Sequence, residues 1–139
     1  MKIGEWDTLG RTRGLLQRQL GELSAAEDAA HVTLSPENGR LRILVATDIG
    51  LLDYSYRPVG SDPEGPWILS GQLTRWASVK GLRLQTETQF DGDNREARWI
   101  WRVVAEDPRI ELSADSQGVG ESSPAALLPF ARACIQHAG

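Results

Sequence analysis

The chain has 139 residues, a formal net charge of −4 and a sequence pI near 5.2, which fits one domain able to bury a core without staples and lacks the basic surplus of a nucleic-acid binder. One cysteine, Cys134, excludes an internal disulfide. No apolar run approaches the ~18 residues of a membrane span, and the opening Met1-Lys-Ile-Gly-Glu-Trp-Asp lacks the apolar block of a signal peptide, so a cytoplasmic protein is the default expectation.

Residues 1–23 read as a helical segment. Leu9, Leu16, Leu20 and Leu23 fall on one face of a 3.6-residue period, while Gly14 and Gly21 each cost about 1 kcal/mol relative to alanine. Such a helix needs tertiary contacts, and docking on its own domain is the favoured expectation. Ser24 with Glu27 has the form of a capping box for a short helical turn. Strands are expected within 30–115. Val32–Leu34 comes first, then a turn at Ser35–Gly39. Leu41, Ile43 and Val45 alternate next, Asp48–Gly50 makes a tight turn or bulge, and Leu52, Tyr54 and Tyr56 alternate after it. Gly60–Pro66 carries two prolines and two glycines and is a loop. Trp67–Trp76 resumes a strand, with Gly71 suggesting a bulge or bend.

The stretch 82–104 is a hairpin. Leu82, Leu84, Thr86, Thr88 and Phe90 alternate with Arg83, Gln85, Glu87 and Gln89. Asp91–Arg95 is turn chemistry, and Ala97–Val104 returns with Trp99 and Trp101 on one face. With those tryptophans inward, Arg83, Gln85, Arg98 and Arg102 surround Ile100 on the outer face. That patch, with Arg83, Arg98, Ile100 and Arg102 as its core, is the candidate docking site for an acidic protein or peptide. The charge is slightly uneven, since residues 75–102 hold six basic against four acidic residues and residues 24–74 hold three against seven, but so small a bias reads as an ordinary mixed surface. After a turn at Glu106–Arg109, Ile110, Leu112 and Ala114 form the last strand. A C-terminal helix over 123–137 opens with Ser123 as N-cap and Pro124 at the first helical position. Its stripe is Leu127, Phe130 or Ala131, and Cys134. Pro129 should kink it or shift its start later.

The result is an α+β chain of about seven antiparallel strands, closed as a barrel or split into a sandwich, with a C-terminal helix as cap and an additional N-terminal helix. That order, together with Leu44-Val-Ala-Thr-Asp48 followed by Gly50-Leu-Leu52, resembles the pleckstrin-homology-like (PH-like) fold over roughly 30–137, and within it bacterial PH-like domains. The resemblance implies a binding or scaffolding module without catalytic machinery. Eukaryotic relatives often bind phosphoinositides through basic residues around the first inter-strand loop. Here the loop, 35–40, supplies Arg40 and its neighbour Arg42, but also Glu37. Two arginines supply at most ~2 kcal/mol of attraction to an anionic surface, short of stable anchoring, so membrane-surface binding is not expected.

Catalytic and metal chemistry find no footing in the sequence. Cys134 and His137 are two ligands where zinc takes three or four, and no cofactor motif is present. Asp48 and Asp53 read as turn and strand residues. The expectation is therefore a non-enzymatic interaction or scaffolding module, binding a protein partner or forming a homo-oligomer. The alternative is a small-molecule-binding β-barrel, carrier or enzyme, with Trp67, Trp76, Trp99 and Trp101 lining its pocket.

Overall fold

The computed structural model of the chain describes residues 1–62 and 64–138. Two short 3-10 turns, Ile3–Glu5 and Asp7–Leu9, lead into helix α1 (Thr12–Glu22). Seven strands follow: β1 (Glu27–Leu34), β2 (Leu41–Thr47), β3 (Gly50–Pro58), β4 (Trp67–Arg75), β5 (Arg83–Phe90), β6 (Glu96–Glu106) and β7 (Arg109–Asp115). Helix α2 (Pro124–Ala138) ends the chain. The strands form two antiparallel meanders, a four-stranded sheet β1-β2-β3-β4 and a three-stranded sheet β5-β6-β7. Among the described residues no ladder joins one sheet to the other, so the expected closed barrel does not form. Helix α2 packs against both sheets, and its width of about 10 Å holds them apart where it lies.

Period-two alternation loads both faces of the four-stranded sheet. Ala30, Val32, Ile43, Val45, Leu52 and Tyr54 point to one side, where Ile3, Trp6, Leu9, Leu16 and Leu20 cover them. The N-terminal segment therefore docks on its own chain. Its stripe differs from the leucine pattern: Leu23 is 45 % exposed, while Ile3 and Trp6 join Leu9, Leu16 and Leu20 in the core. The first nine residues form two tight turns instead of helix, which brings both side chains onto the sheet. Ala29, Leu44, Ala46 and Leu51 point to the other side. There they meet Leu127, Phe130, Ala131 and Cys134 of α2, and Val103, Ala105, Ile110, Leu112 and Ala114 of the second sheet.

Local chemistry explains several boundaries. Ser24 sits at φ 53 just beyond α1, and β1 starts at Glu27, so the expected capping box does not exist. The Glu27 carboxylate instead accepts the Ile3 N–H at 2.5 Å, and burial holds its pKa above the ordinary carboxylate value. At the β2–β3 turn the Thr47 hydroxyl donates to the Gly50 carbonyl at 2.7 Å and accepts the Gly50 N–H. Asp48 accepts the Ala26 N–H at 2.8 Å, tying the turn to the start of β1. Gly71 makes no bulge, because β3 and β4 pair in continuous register. It lies opposite Tyr54, and a Cβ there would meet the Tyr54 ring at 2.4 Å. The ring takes the space a side chain would fill. Helix α2 starts at Pro124 as expected and runs through Pro129. The Ala126 N–H reaches the Ser123 hydroxyl at 3.3 Å.

Candidate interaction surface

The two sheets end in four edge strands, and an edge strand's unpaired N–H and C=O groups invite pairing unless something covers them. Strand β1 is covered by its own chain. The Ala30 N–H donates to the Met1 carbonyl at 2.6 Å, the Trp6 Nε1–H donates to the Ala30 carbonyl at 3.1 Å, and the Leu34 N–H donates to the Glu121 carboxylate at 2.9 Å. Strand β7 lies against α2 and the 3-10 turn Gly120–Ser122. Strand β5 is touched by α2, but no hydrogen bond from another part of the chain closes its outer edge among the described residues, and strand β4 is the other sheet edge.

Strand β5 is the barer of the two: all eight of its residues are exposed, on both faces. The direction of its free groups follows from its neighbours. Trp99 on β6 turns its N–H and C=O toward the β7 side, to the Ser116 hydroxyl and the Ser116 N–H. Backbone groups alternate along a strand, so Ile100, Arg102 and Val104 point toward β5. Their partners there are Glu87, Gln85 and Arg83. The backbone groups of Leu84, Thr86 and Thr88 are left facing outward on the open edge. This eight-residue edge measures about 25 Å, at roughly 3.3 Å per residue, and it contains no proline, lysine or interior glycine to discourage a partner strand.

Side chains beside the edge divide by face. Leu84, Thr86 and Thr88 share the inner face with Val103, Trp101 and Trp99, their cross-strand partners. Leu84 is 36 % and Phe90 61 % exposed, and Trp99 and Trp101 are half-buried. The outer face holds the predicted patch, and the structure does bring Arg83, Arg98, Ile100 and Arg102 together there: Gln85 is opposite Arg102, Glu87 opposite Ile100 and Gln89 opposite Arg98. Two of the four are not available as read. Ile100 is only 9 % exposed, so it is no open apolar contact. Arg98 is ion-paired with Asp115 through two guanidinium nitrogens. That pairing raises the Arg98 pKa and lowers that of Asp115. Arg83 and Arg102 make no ion pair among the described residues and are the cations left to a partner.

The remaining candidates separate. Arg42 is bidentate to Asp53, at 3.1 and 2.9 Å, and donates to the Arg109 carbonyl at 2.6 Å. Its guanidinium is engaged within the fold, while Arg40 stands exposed at the turn before β2. The tryptophans do not gather round one cavity. Trp6 docks on β1, Trp67 packs against Tyr56 with ring centroids 5.0 Å apart, and Trp76 stacks on His137 at 5.2 Å. A surface cleft of about 580 Å³ is lined by one of the five, Trp6. His137 also pairs with Asp28, and Cys134 is fully buried, which pushes its thiol pKa up to about 12. The two share no metal site, and no group of three metal-ligating side chains occurs among the described residues. No described helix is long and apolar enough to cross a membrane.

His31, missed in the sequence as anything but a lone histidine, is buried between Trp6 and Phe130. Its Nε2 lies 2.9 Å from the Glu121 carbonyl, which can only accept, so Nε2 carries the proton. Its Nδ1 has no hydrogen-bond partner among the described residues. Burial lowers the His31 pKa, and the neutral ring serves as a strut between β1 and the loop before α2.

No family model, curated protein or solved structure matches the chain.

Proposed function

We propose that the protein is a non-enzymatic interaction module that takes an extended segment of a protein partner as an added strand on β5. The observation that supports this most is the contrast between edges. The chain uses three hydrogen bonds to close β1 and leaves β5 bare along eight residues. Strand addition draws its affinity from main-chain hydrogen bonds and its selectivity from alternate side chains. Here the selecting side chains are Leu84 and Phe90 on the inner face, and Arg83 and Arg102 on the outer face, which favour a partner carrying acidic residues. The split into four and three antiparallel strands with a C-terminal helix between the sheets is compatible with a PH-like relationship, and such a relationship agrees with a binding role.

The test uses Thr86→Pro. The Thr86 N–H points away from β6, so proline removes a donor from the open edge and none from the hairpin ladder. A photo-crosslinking residue at position 88 should yield adducts that Thr86→Pro abolishes, while one at Gln72 on β4 should yield none. Adducts that form equally from Gln72, or that survive Thr86→Pro, would sink the proposal.

A further inference from the structure

Resting on that reading of β5, we infer that the segment it takes is β5 of a second copy of this chain. Charge and hydrogen-bond complementarity point to this partner. Strand β5 reads Arg83-Leu-Gln-Thr-Glu-Thr-Gln-Phe90; Arg83 has no ion-pair partner among the described residues, and the Glu87 carboxylate, which accepts the Gln89 side-chain amide at 3.2 Å and lies near Arg98, forms no ion pair within 4 Å there. In an antiparallel pair related by a two-fold axis normal to the sheet, each residue faces one whose side chain points to the same side. Three registers can be compared by what they set opposite each other. An axis at Glu87 places two glutamates face to face, which is destabilising. An axis at Thr86 places Arg83 against Gln89 and satisfies no charge directly. An axis at Gln85 places Arg83 of each copy opposite Glu87 of the other, twice, with the two Gln85 amides meeting at the centre.

The same axis suits the backbone. The outward N–H and C=O groups of Leu84 meet those of Thr86 in the second copy, and the symmetry repeats the exchange. Strand β4, the other open edge, has no equivalent. Its only charged residue is Arg75, at its end, so self-pairing there offers no charge partner. The assembly would be one continuous sheet in which each copy supplies its three strands.

A charge swap on the full chain tests the register. Arg83→Glu and Glu87→Arg each turn both cross-copy ion pairs into like-charge pairs, and both sites are exposed, so folding should hold; thermal unfolding checks this. The wild type should sediment and scatter light as twice 15.3 kDa. Each single variant should dimerise at least about ten-fold more weakly, and the double swap should return to within about three-fold of wild type. A dimer indifferent to the single swaps, or a double swap no better than the singles, overturns the inference. A wild type that is monomeric at every concentration overturns it too; if crosslinks from position 88 to another protein then persist and are lost in Thr86→Pro, the interaction reading stands without the second copy.

Discussion

Trp6→Ala probes whether the N-terminal segment holds the fold as the packing implies. Trp6 is 5 % exposed. Its ring meets His31 edge-on at 5.4 Å, and its Nε1–H donates to the Ala30 carbonyl on the edge of β1. Removing a buried tryptophan costs about 3–5 kcal/mol, and the unpaired Ala30 carbonyl adds about 1 kcal/mol. Against a total stability of about 5–15 kcal/mol, the loss is severe. With a urea m-value of about 2 kcal/mol/M, the unfolding midpoint should fall by about 2–3 M. Trp6→Phe keeps most of the ring and forfeits the hydrogen bond, so its midpoint should fall by about 0.5–1 M. Equilibrium urea unfolding followed by circular dichroism measures both. A midpoint shift below about 0.5 M for Trp6→Ala, with m unchanged, would show that residues 1–9 do not dock on β1, and the account of the protected edge would fall with them.

Three further outcomes concern Gly71, His31 and Cys134. Gly71→Val should destabilise the chain by about 1–3 kcal/mol in the same assay, because its Cβ would meet the Tyr54 ring at 2.4 Å; a neutral result would refute the packing of that ring across β4. The folded-state pKa of His31 is lowered, so below about pH 6.5 the unfolded chain binds the extra proton first, and the histidine's contribution to stability falls as pH falls. Its slope is bounded by about 1.4 kcal/mol per pH unit. Glu27, with its raised pKa, contributes the opposite slope, lost as pH rises from about 4.5 through its folded value, so the comparison is made with His31→Gln, which should flatten the wild-type loss between pH 7 and 5.5. Cys134, with its thiol pushed up to about 12, should resist thiol reagents at pH 8 in the folded state and react at the rate of unfolding; rapid labelling of folded protein would contradict its burial.

The strands were legible because their alternation is local. The hairpin at 82–104, the turn at 48–50 and the entry to α2 at Ser123-Pro124 each depend on residues within a few positions, and each lies where the sequence indicates. What failed depends on distant parts of the chain. Glu27 reads as the end of a capping box, but its carboxylate is taken by Ile3. Gly71 reads as a bulge, but its missing side chain makes room for Tyr54 on the next strand. Leu23 continues a helical stripe on paper, yet the helix ends at Glu22 and leaves it in solvent. The outer-face patch was legible as an alternation, because Arg83, Arg98 and Arg102 do share a face. Its use was not: Asp115, 17 residues from Arg98 in sequence, claims that arginine, and edge status is a property of sheet order that no single strand's sequence carries.

Residue-resolved amide exchange across β5 reads strand addition at the backbone groups themselves. In dilute protein the Gln85 and Glu87 amides, bonded to β6, should be protected, and those of Leu84, Thr86 and Thr88 should exchange freely. On assembly, driven by raising the protein concentration or by adding a captured partner, Leu84, Thr86 and Thr88 should become protected while the β4 amides do not change. Protection of all five β5 amides before assembly, or new protection confined to β4, would contradict the account.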